Sequence, residues 1–443
     1  MFKANFAAPM HILSSSKNVL VIGYGISGKA ASSFLKSKGH NVSVFDDKTL
    51  TEIPDVRAFD VVVKSPSVPV MGHNRHCIIK QAMALKIPVL STFDVFRLYN
   101  PEAKIIAVTG TNGKSTTTAL IYHILKDTGF SVQIGGNIGI SYFDLQPAEW
   151  YVFEMSSYEL VSSNYLDFEV ACVLNIEPDH MEFHGSFENY IEAKHLALDN
   201  AKLRMVSADD PFTMKRYGDL DNVITVSTEC NYSSDVYICE GTLRDKESDR
   251  LILDFAGILN LRGKHNHQNI EFAYIVCKRL GVTSREILKS LHSFTPLPHR
   301  TNIVKKIGNV TFVNDSKATN PPSASKALST FIGYKIYWLV GGRSKKIDSI
   351  PYVKPYLAEI QKIYLFGESM DEFESAFQNI KETVRCQTML NALNLAFKDA
   401  KKEVSLTVIL LSPMCASFDQ FDSFEHRGNE FVRFVEMLEQ TDG

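Results

Sequence analysis

Residues 105–118, which read IIAVTGTNGKSTTT, constrain the fold more than any other part of the chain. The apolar residues 105–108 predict a buried strand, and the residues from Thr116 onward predict a helix. Gly110 and Gly113 permit a tight turn between these two elements. Such a turn directs several backbone N–H groups and a helix N-terminus towards one point, which creates a binding site for an anion.

The side chains of this turn suit a nucleoside triphosphate. Lys114 supplies a cation for phosphate oxygens, and the hydroxyl of Ser115 can bind Mg²⁺. The spacing departs from the usual eight-residue phosphate loop, because no glycine stands five residues before Gly113. The alternative interpretation is a strand-turn-helix junction with a surface lysine. The flanking strand and helix patterns favour ATP binding over that alternative.

Length and composition limit the class of protein. A chain of 443 residues is long enough for several domains, and about three are expected at ~150 residues each. A hydrophobic content of 45% is enough to build large cores. The net charge of −3 gives no indication of a nucleic-acid partner.

The cysteines and the N-terminus indicate a soluble cytoplasmic protein. The seven cysteines are odd in number and form no CxxC pair, which is typical of reduced thiols rather than of a disulfide framework or a zinc site. Residues 1–18 lack the apolar core of a signal peptide. No apolar run is long enough to cross a bilayer.

Alternating apolar runs and helical patterns predict three successive α/β domains, at residues 1–98, 99–298 and 299–443. The boundaries fall in the polar stretch 98–104 and at the proline-broken stretch 296–298. The predicted strands are residues 18–22, 41–45, 61–63 and 88–90, then 105–108, 151–154, 170–175, 236–239 and 251–255, then 310–314, 336–340, 362–366 and 407–411. Helices are predicted at residues 29–38 and 187–202.

A second glycine-rich turn follows the first predicted strand. Gly23, Gly25 and Gly28 are spaced as in nucleotide-binding turns, and Asp46 and Asp47 end the next strand, about twenty residues later. In such turns the glycines let the backbone approach phosphates, and the acid binds ribose hydroxyls. The pattern does not distinguish a nicotinamide cofactor from another nucleotide, and a tight turn without a ligand is the alternative.

Polar side chains also follow two predicted strands of the second domain. Glu154 ends one of them, and ligands of open parallel sheets bind beyond the carboxyl ends of the strands. We therefore expect Glu154 to complete Mg²⁺ coordination near Ser115. His180 follows the other strand in a loop with two carboxylates, and Lys194 lies on the next helix. A single histidine in a loop, or a single lysine on a helix, is usually solvated. A functional site is favoured only because both occur together with Glu154 and the phosphate loop.

Three further segments carry polar groups that could bind a ligand. Asn266 and Asn269 share one helix face, where their amides could recognise an adenine edge or simply form surface hydrogen bonds. The loop at residues 314–322 places a cation, hydroxyls and an acid before a helix whose first turn contains proline. Ser417, in the loop at residues 411–421, could bind an anion at a helix start.

Together these segments resemble the Mur ligase family, the ATP-dependent enzymes that build the stem peptide of peptidoglycan. The segment TGTNGKST and the motifs around Glu154 and His180 carry the resemblance to the family as a whole. The segments NDSKATNP at 314–321 and SPMCASFDQF at 412–421, with FEHRGNEF after them, resemble the members that add D-glutamate. The resemblance covers nearly the whole chain.

The resemblance implies a Rossmann-like N-terminal domain that binds UDP, a central ATPase-like domain with a phosphate loop in a parallel sheet, and a Rossmann-like C-terminal domain that closes over ATP and the amino acid. The implied reaction adds D-glutamate to UDP-N-acetylmuramoyl-L-alanine through an acyl phosphate, with ATP as co-substrate and two Mg²⁺ ions. The implied enzyme is a cytoplasmic monomer of cell wall synthesis, with neither a nucleic acid nor a membrane as partner.

The resemblance also assigns individual residues. Those implied to bind ATP are Gly110, Thr111, Asn112, Gly113, Lys114, Ser115, Thr116, Asn269, Arg300 and Asp315. Those implied to contact the acceptor or D-glutamate are Ile26, Ser27, Asp46, Asp47, Asn137, Lys317, Thr319, Lys345, Ser417 and Phe424. The implied catalytic residues are Lys114, His180, Lys194 and Lys317. Ser115 and Glu154 are implied ligands of one Mg²⁺, and His180 and Lys194 of the second, with Lys194 converted to a carbamate because a bare ammonium repels a metal.

Two positions depart from the family pattern, and several alternatives stay open. Ser67 stands where the family's Ser-Pro-Gly turn has glycine, and Arg343 stands where an acidic residue commonly precedes the lysine. The nearest alternative is another Mur-type or folylpolyglutamate-type ligase with a different amino acid. A nicotinamide-dependent dehydrogenase is disfavoured by the phosphate loop of the second domain. A non-catalytic nucleotide-binding regulator is disfavoured by the crowding of metal-type side chains.

Overall fold

The computed structural model describes residues 11–47, 52–70, 75–138, 140–246, 250–254, 261 and 264–442. Its strands form three sheets, with helices between successive strands in an α/β fold. The described residues of Met1–Leu259 and Asn266–Phe294 form one compact unit, and those of Asn260–His265 and Thr295–Gly443 form another. None of the helices in these ranges combines the length and the low polarity that a membrane crossing requires.

The first sheet belongs to the first unit. Its strands are β1 (Asn18–Ile22), β2 (Asn41–Phe45), β3 (Val61–Lys64) and β4 (Val89–Ser91). The helices of this part are α1 (Ile26–Ser37), α2 (Cys77–Ala84) and α3 (Thr92–Tyr99). All strand pairs are parallel, in the order β2-β1-β3-β4. Helix α3 begins with a capping box, because Ser91 and Asp94 each accept a hydrogen bond from the other's backbone N–H.

The second sheet, also in the first unit, has nine described strands. They are β5 (Lys104–Thr109), β6 (Val132–Gly136), β7 (Trp150–Glu154), β8 (Phe168–Val173), β9 (Ala201–Ser207), β10 (Val223–Ser227), β11 (Val236–Cys239), β12 (Thr242–Asp245) and β13 (Arg250–Asp254). The helices here are α4 (Lys114–Asp127), α5 (Ser157–Ser162), α6 (Met181–His184), α7 (Phe187–Asp199), α8 (Pro211–Tyr217), α9 (Lys264–Arg279) and α10 (Ser284–Ser293).

The strand order of this sheet is β6-β7-β5-β8-β9-β10-β11-β12-β13. Every pair from β6 to β11 is parallel, and only the last two pairs are antiparallel. The middle strands β5 and β7 read as continuous apolar runs because almost all of their residues are buried. Three strands that carry polar loops, β7, β5 and β8, therefore lie side by side in this sheet, next to the edge strand β6.

The third sheet forms the core of the second unit. Its strands are β14 (Asn302–Ile307), β15 (Val310–Asn314), β16 (Lys335–Gly341), β17 (Ile360–Phe366), β18 (Thr383–Gln387) and β19 (Thr407–Leu411). The helices are α11 (Pro321–Thr330), α12 (Ile350–Val353), α13 (Met370–Phe377), α14 (Met389–Ala400) and α15 (Phe424–Asp442). The order is β14-β15-β19-β16-β17-β18, and β14 is the one antiparallel strand of this sheet.

These elements confirm the predicted α/β class and the predicted strands, with differences at their ends. The helix predicted at 187–202 was too long, because α7 ends at Asp199 and β9 begins at Ala201. The amide of Asn200 donates to the carbonyl of Leu196 at 2.7 Å, which caps the helix there. Phe255, the last residue of a predicted strand, lies outside the described residues. The domain limits at 98/99 and 298/299 stay predictions.

The cysteines require a correction. The sequence indicates reduced thiols, whereas Cys230 and Cys239 form a disulfide. The chain turns back between β10 and β11, so that the two Cα atoms lie 4.6 Å apart although nine positions separate the residues in sequence. A spacing of this kind has no short-range signature, which is why the pairing is not visible in the sequence.

Glu271 is a buried carboxylic acid in α9. It is 0% exposed, and no residue in the described part of the chain hydrogen-bonds to either of its carboxylate oxygens. Burial, and in second place the nearby charge of Asp209, raise the pKa of Glu271 well above its ordinary value of 4.5. The folded protein therefore retains a proton that the unfolded chain releases.

Replacing Glu271 should change how stability depends on pH. Because the folded state binds one more proton, the free energy of unfolding should fall as pH rises above 4.5, by about 1 kcal/mol per pH unit until Glu271 itself ionises. Glu271→Met removes this proton and fills the same space with an apolar chain. Denaturant titration at pH 5 and at pH 8 measures the free energy of unfolding at each pH. This free energy should fall less between the two pH values in Glu271→Met than in the wild type.

The matched control is Glu102→Gln, which removes an exposed carboxylate from the loop before β5. It should follow the wild-type pH dependence. Parallel curves for Glu271→Met and the wild type would show that Glu271 does not hold a proton in the folded state.

Candidate active site

The loops that follow three neighbouring strands of the second sheet, β7, β5 and β8, lie at the same edge of the sheet. In the parallel register, Val108 of β5 pairs with Glu154 of β7, and Thr109 of β5 pairs with Val173 of β8. The phosphate loop, Glu154 and the loop that starts at Leu174 therefore leave the sheet at the same level. This is the carboxyl edge, where ligands of parallel sheets bind.

The loop after β8 holds the phosphate loop through hydrogen bonds. The N–H of Thr111 donates to the Asn175 carbonyl at 2.8 Å, and the N–H of Asn112 donates to the Asn175 side-chain oxygen at 2.9 Å. The Thr111 hydroxyl lies 3.0 Å from the Glu177 carbonyl oxygen and 3.1 Å from the Tyr190 hydroxyl. These contacts fix the loop between β8 and α7, as preorganised binding of an anion requires.

Asn269 packs against the start of α4, which supports its predicted place in the nucleotide site. The Thr117 hydroxyl donates to Asn269 Oδ1 at 3.1 Å, and Asn269 Nδ2 donates to Asn266 Oδ1 at 3.1 Å. Gly113 precedes α4 with a φ of 89°, and a Cβ at Gly113 would lie only 2.4 Å from Asn269 Oδ1. Glycine is therefore required at this turn, both for its backbone conformation and for space.

Two lysines donate to the same carbonyl oxygen of the phosphate loop. Nζ of Lys114 lies 3.0 Å from the Gly110 carbonyl oxygen, and Nζ of Lys194 lies 2.7 Å from it. Lys194 is 1% exposed, and its Nζ lies 4.6 Å from the centre of the Tyr190 ring. Burial, and then the positive charge of Lys114, lower the pKa of Lys194 well below its ordinary value, while Asp179 and Glu154 oppose the shift.

Glu154 and Asn137 form the next part of the site. Glu154 is 3% exposed at the end of β7, and its Oε1 accepts a hydrogen bond from Asn137 Nδ2 at 3.1 Å. The backbone N–H of Asn137 also donates to the Glu154 carbonyl at 3.0 Å. The short turn after β6 thus holds an amide beside the carboxylate.

His180 stands at the start of α6 among acids and aromatic rings. Its Nε2 lies 3.6 Å from Asp179 Oδ2 and its Nδ1 lies 3.5 Å from Glu182 Oε1. The Tyr158 ring packs against the imidazole with the ring centres 5.1 Å apart. The side chain is 31% exposed, so it can reach a ligand.

A pocket of about 300 Å³ connects these groups within the first unit. It is lined by Pro66, Ser67, Thr111, Lys114, Asn137, Ser156, Ser157, Tyr158, Asp179, His180, Tyr190 and Lys194. The structure therefore brings together Lys114, His180, Lys194 and Asn137, which the sequence predicted separately. Ser115, buried in the first turn of α4, and Glu154 flank this group from the same sheet edge.

The donor set fits Mg²⁺ in combination with phosphate. No group of three or more histidine, cysteine or acidic side chains in the described part of the chain is arranged to hold a metal alone. Mg²⁺ instead takes one or two protein oxygens together with phosphate oxygens and water. Ser115 and Glu154 supply a hydroxyl and a carboxylate of that kind. His180 and Lys194 fit a second ion once Lys194 carries an anionic oxygen group, because its ammonium would repel the metal.

The residues predicted to hold the UDP group lie at the start of α1 and directly after β2, and none of them lines this pocket. Asp46 Oδ2 accepts a hydrogen bond from the Tyr24 N–H at 2.5 Å, beside the glycine-rich turn. Asp47 pairs with His76, whose Nε2 lies 3.1 Å from both carboxylate oxygens. Ile26 is 79% exposed at the start of α1, with Ser27 next to it, so both are available to a ligand.

Ser67 occupies its turn without the backbone strain that a missing glycine suggests. It is absent from the non-glycine residues with positive φ in the described part of the chain. The backbone of Ser67 is therefore in a region that serine adopts without strain. The turn does not require the glycine of the Ser-Pro-Gly pattern.

In the second unit, the predicted residues gather at the carboxyl edge of the third sheet. Asp315, directly after β15, accepts hydrogen bonds from the Ser412 hydroxyl at 2.7 Å and from the Thr301 N–H at 3.0 Å. Burial raises the pKa of Asp315 to about 7, and these hydrogen bonds and the charge of Arg300 partly oppose the shift. Lys317 Nζ lies 3.9 Å from the centre of the Phe424 ring, a cation–π contact.

A buried arginine connects the loops of this edge. Arg427 is 0% exposed, and its Nη2 donates to the carbonyls of Ser316 at 2.7 Å and Cys415 at 3.0 Å. Loop 342–349, which contains Lys345, joins the same network where the N–H of Arg343 donates to the Ala416 carbonyl at 2.8 Å. Thr319 and Ser417 lie in the loops that Arg427 fastens, directly before α11 and after β19 respectively.

Comparison with known proteins decides the family. Residues 108–277 match the Mur ligase middle domain, and residues 299–415 match the Mur ligase glutamate ligase domain. The UDP-N-acetylmuramoylalanine--D-glutamate ligase of Phenylobacterium zucineum is 36% identical over 95% of this chain and 96% of its own. That of Wolbachia pipientis wMel is 34% identical over 96% and 97%. The chain belongs to the Mur ligase family. This confirms the predicted family and the predicted class, an ATP-dependent ligase.

Solved structures show that the fold is shared with other Mur ligases. UDP-N-acetylmuramate-alanine ligase MurC from Thermotoga maritima is similar to this chain with a TM-score of 0.64, at 19% identity over 96% of this chain and all of its own. A MurF ligase from Thermotoga maritima in complex with ADP is similar with a TM-score of 0.56, at 19% identity over 85% and 95%.

Several residues of this Mur ligase's sites received no role from the sequence. Tyr158, Asp179 and Tyr190 line the pocket, and Arg427 fastens the loops of the second unit. Tyr158 and Asp179 lie within motifs that the sequence did single out, so proximity to Glu154 and His180 was a usable signal. Tyr190 and Arg427 lie in ordinary helical patterns, and only tertiary packing reveals their contacts.

Gly113→Ala should weaken ATP binding by this Mur ligase about tenfold or more. The added Cβ meets Asn269 Oδ1 at 2.4 Å, and the residue has a φ of 89°. Both effects should displace the phosphate loop. Calorimetric titration with a non-hydrolysable ATP analogue measures the change in Kd.

Gly129→Ala is the matched control. Gly129 has a φ of 88°, but the described chain leaves open space around an added Cβ there. Both variants thus carry the same backbone strain, and only one carries the clash. An unchanged Kd in Gly113→Ala would contradict the assignment of this turn to ATP.

Proposed function

We propose that this Mur ligase uses ATP to join D-glutamate to the alanine carboxylate of UDP-N-acetylmuramoyl-L-alanine, in peptidoglycan synthesis. The observation that carries the proposal is the meeting of the phosphate loop, His180 and Lys194 around one pocket, with Glu154 at the same sheet edge. The names of the curated relatives, which align with this chain over nearly their full length, support these substrates.

The reaction needs ATP because a carboxylate oxygen is a poor leaving group. In the first step, the alanine carboxylate attacks the γ-phosphorus of ATP, forming an acyl phosphate and releasing ADP. In the second step, the amine of D-glutamate attacks the acyl carbon. The resulting tetrahedral intermediate loses phosphate and a proton, which leaves the amide. The free energy of ATP hydrolysis thereby drives amide formation.

The residues of the first unit act mainly by positioning and by neutralising charge. Of the phosphate loop, Gly110–Thr116 in the sequence, the backbone N–H groups at the start of α4 bind the phosphates, because those of Thr111 and Asn112 already donate to Asn175. Lys114 turns from the loop carbonyls that it now contacts to the phosphoryl group. Asn269 supports the loop at Gly113 and Thr117. His180 and Lys194 face the pocket where the acceptor carboxylate must lie.

Mg²⁺, when bound, shields the negative charge of the phosphates so that a carboxylate can approach them. We propose Ser115 and Glu154 as ligands of one ion, and His180 and the carbamate of Lys194 as ligands of a second. The lowered pKa of Lys194 supports the carbamate, because only an unprotonated amine reacts with CO₂. Its burial protects the carbamate, once formed, from water.

The remaining residues are proposed to select the substrates. Asn137 contacts the muramoyl part of the acceptor, and Ile26, Ser27, Asp46 and Asp47 contact the uridine diphosphate. The second unit contributes Arg300 and Asp315 to ATP binding. The residues that we propose to contact D-glutamate are Lys317, Thr319, Lys345, Ser417 and Phe424. We further propose that the second unit closes on substrate binding to exclude water from the acyl phosphate. The enzyme is also proposed to act as a cytoplasmic monomer.

Phosphate release tests the proposed reaction directly. The purified protein with ATP, Mg²⁺ and UDP-N-acetylmuramoyl-L-alanine should release phosphate rapidly only when D-glutamate is also present. L-Glutamate, L-lysine and glycine should give little release under the same conditions. Mass spectrometry of the product should show the acceptor extended by one glutamate.

Other outcomes would identify an alternative. Faster release with a different amino acid would indicate another member of the family. ATP turnover that no acceptor or amino acid stimulates would contradict the ligase reaction itself.

Lys194→Ala should lower kcat roughly hundredfold or more, because it removes the anionic oxygen group proposed beside His180. Added short-chain carboxylic acids should restore part of the activity by occupying the same place. Lys202→Ala removes an exposed lysine that pairs with Glu169 at 2.5 Å, and it should keep the wild-type rate. A Lys194→Ala enzyme that works at nearly the wild-type rate without added acid would rule out the carbamate.

A further inference from the structure

Lys64, the last residue of β3, is a buried cation that the proposed mechanism does not use. Its side chain is 0% exposed. The Nζ atom donates to the carbonyls of Pro66 at 3.2 Å and Val68 at 3.1 Å, and to the Ser162 hydroxyl at 2.7 Å. The ammonium therefore lies beneath the turn that follows its own strand and reaches across to α5.

One of these three acceptors, Pro66, lines the pocket itself, and a second, Ser162, ends the helix α5 whose first residues line it. Pro66 and Ser67 line it from the first sheet, and Ser156, Ser157 and Tyr158 line it from the start of α5. The Ser162 hydroxyl, which accepts from Lys64, donates in turn to the Tyr158 carbonyl. A single ammonium thus connects the Pro66 turn to the first turn of α5.

Two buried acids balance this charge. Burial is the main influence on the pKa of Lys64 and lowers it, the charges of Glu159 on α5 and Asp94 on α3 oppose this, and the pKa lies at about 7. Burial likewise raises the pKa of Glu159 to about 7. Asp94 accepts hydrogen bonds from the N–H groups of Asn164 at 2.7 Å and Tyr165 at 3.0 Å, so it is fixed in place.

Burying such a group is costly unless its hydrogen bonds are all made. An apolar side chain would fill the same space without that cost, so stability alone does not account for Lys64. Its donors end on backbone carbonyls of the pocket turn and on a hydroxyl of α5, rather than on Glu159 or Asp94. These hydrogen bonds therefore hold the Pro66–Ser67 turn and α5 in place relative to each other.

We propose that Lys64 is a positioning residue for the acceptor, which sets the separation of the Pro66–Ser67 turn and the Ser156–Tyr158 turn so that the acceptor's carboxylate end fits between them. This inference rests on the proposed function, because it takes the nucleotide-linked acceptor as the occupant of the pocket. The phosphate loop follows a different strand, β5, and none of the three groups that accept from Lys64 belongs to it.

The test separates positioning from a merely structural role. Lys64→Met keeps the length and removes the donors. The KM for UDP-N-acetylmuramoyl-L-alanine should rise about tenfold, as expected for the loss of hydrogen bonds to a charged group. The KM for ATP and kcat should each stay within about threefold of the wild type, because the lost contacts affect binding of one substrate. Lys80→Met, at an exposed lysine of α2, is the matched control and should leave all three values unchanged.

A double variant covers the case in which Lys64→Met is unstable. Lys64→Met with Glu159→Gln removes the buried lysine and one of the two acids that face it, and should recover part of the melting temperature. The acceptor KM should stay high in the double variant, because neither change restores the donors. Ser162→Ala, which leaves the charges intact and breaks the connection to α5, should raise the acceptor KM by a smaller factor.

The results distinguish failure of the inference about Lys64 from failure of the proposed function. An acceptor KM that returns to the wild-type value together with the melting temperature would overturn the inference, as would equal rises in the KM values for ATP and for the acceptor. Absence of acceptor-dependent turnover in the wild type would instead overturn the proposed function, and the inference with it.

Discussion

The parallel register of β5 between β7 and β8 is the constraint on which the site depends. It sets Val108 opposite Glu154 and Thr109 opposite Val173, so a phosphate loop, a carboxylate and a polar loop all leave the sheet at one level. The strands are buried on both faces, so a slip of one residue would move every side chain into a space packed for its neighbour. The energy that holds the core together therefore also holds the catalytic groups in their relative positions.

Buried basic side chains that donate to loop carbonyls are a second common feature. Lys194 donates to Gly110, Lys64 to Pro66 and Val68, and Arg427 to Ser316 and Cys415. Each of these carbonyls belongs to a loop that follows a strand at its carboxyl end. A carbonyl offers an oxygen without a full negative charge, so the basic side chain organises the loop without forming a closed ion pair. The loops can then present their remaining groups to anionic ligands.

The sequence predicted most of the framework because the central strands are long apolar runs followed by polar loops. The phosphate loop, Glu154 and His180 were visible for the same reason, since each follows a strand. Tyr190 and Lys64 were not visible, because their roles depend on contacts between segments that are far apart in the chain. The Cys230–Cys239 disulfide was missed because a turn, rather than a short spacing, brings the two residues together.

The central claim is that Ser115 and Glu154 together hold a divalent ion against the phosphates of ATP. Crystals grown with Mn²⁺ and a non-hydrolysable ATP analogue test it directly, because the anomalous scattering of Mn²⁺ locates the ion without assumptions about its ligands. The account predicts a peak within coordination distance, about 2.1–2.3 Å, of both the Ser115 hydroxyl and a Glu154 carboxylate oxygen. A bound nucleotide whose Mn²⁺ contacts neither side chain would contradict it.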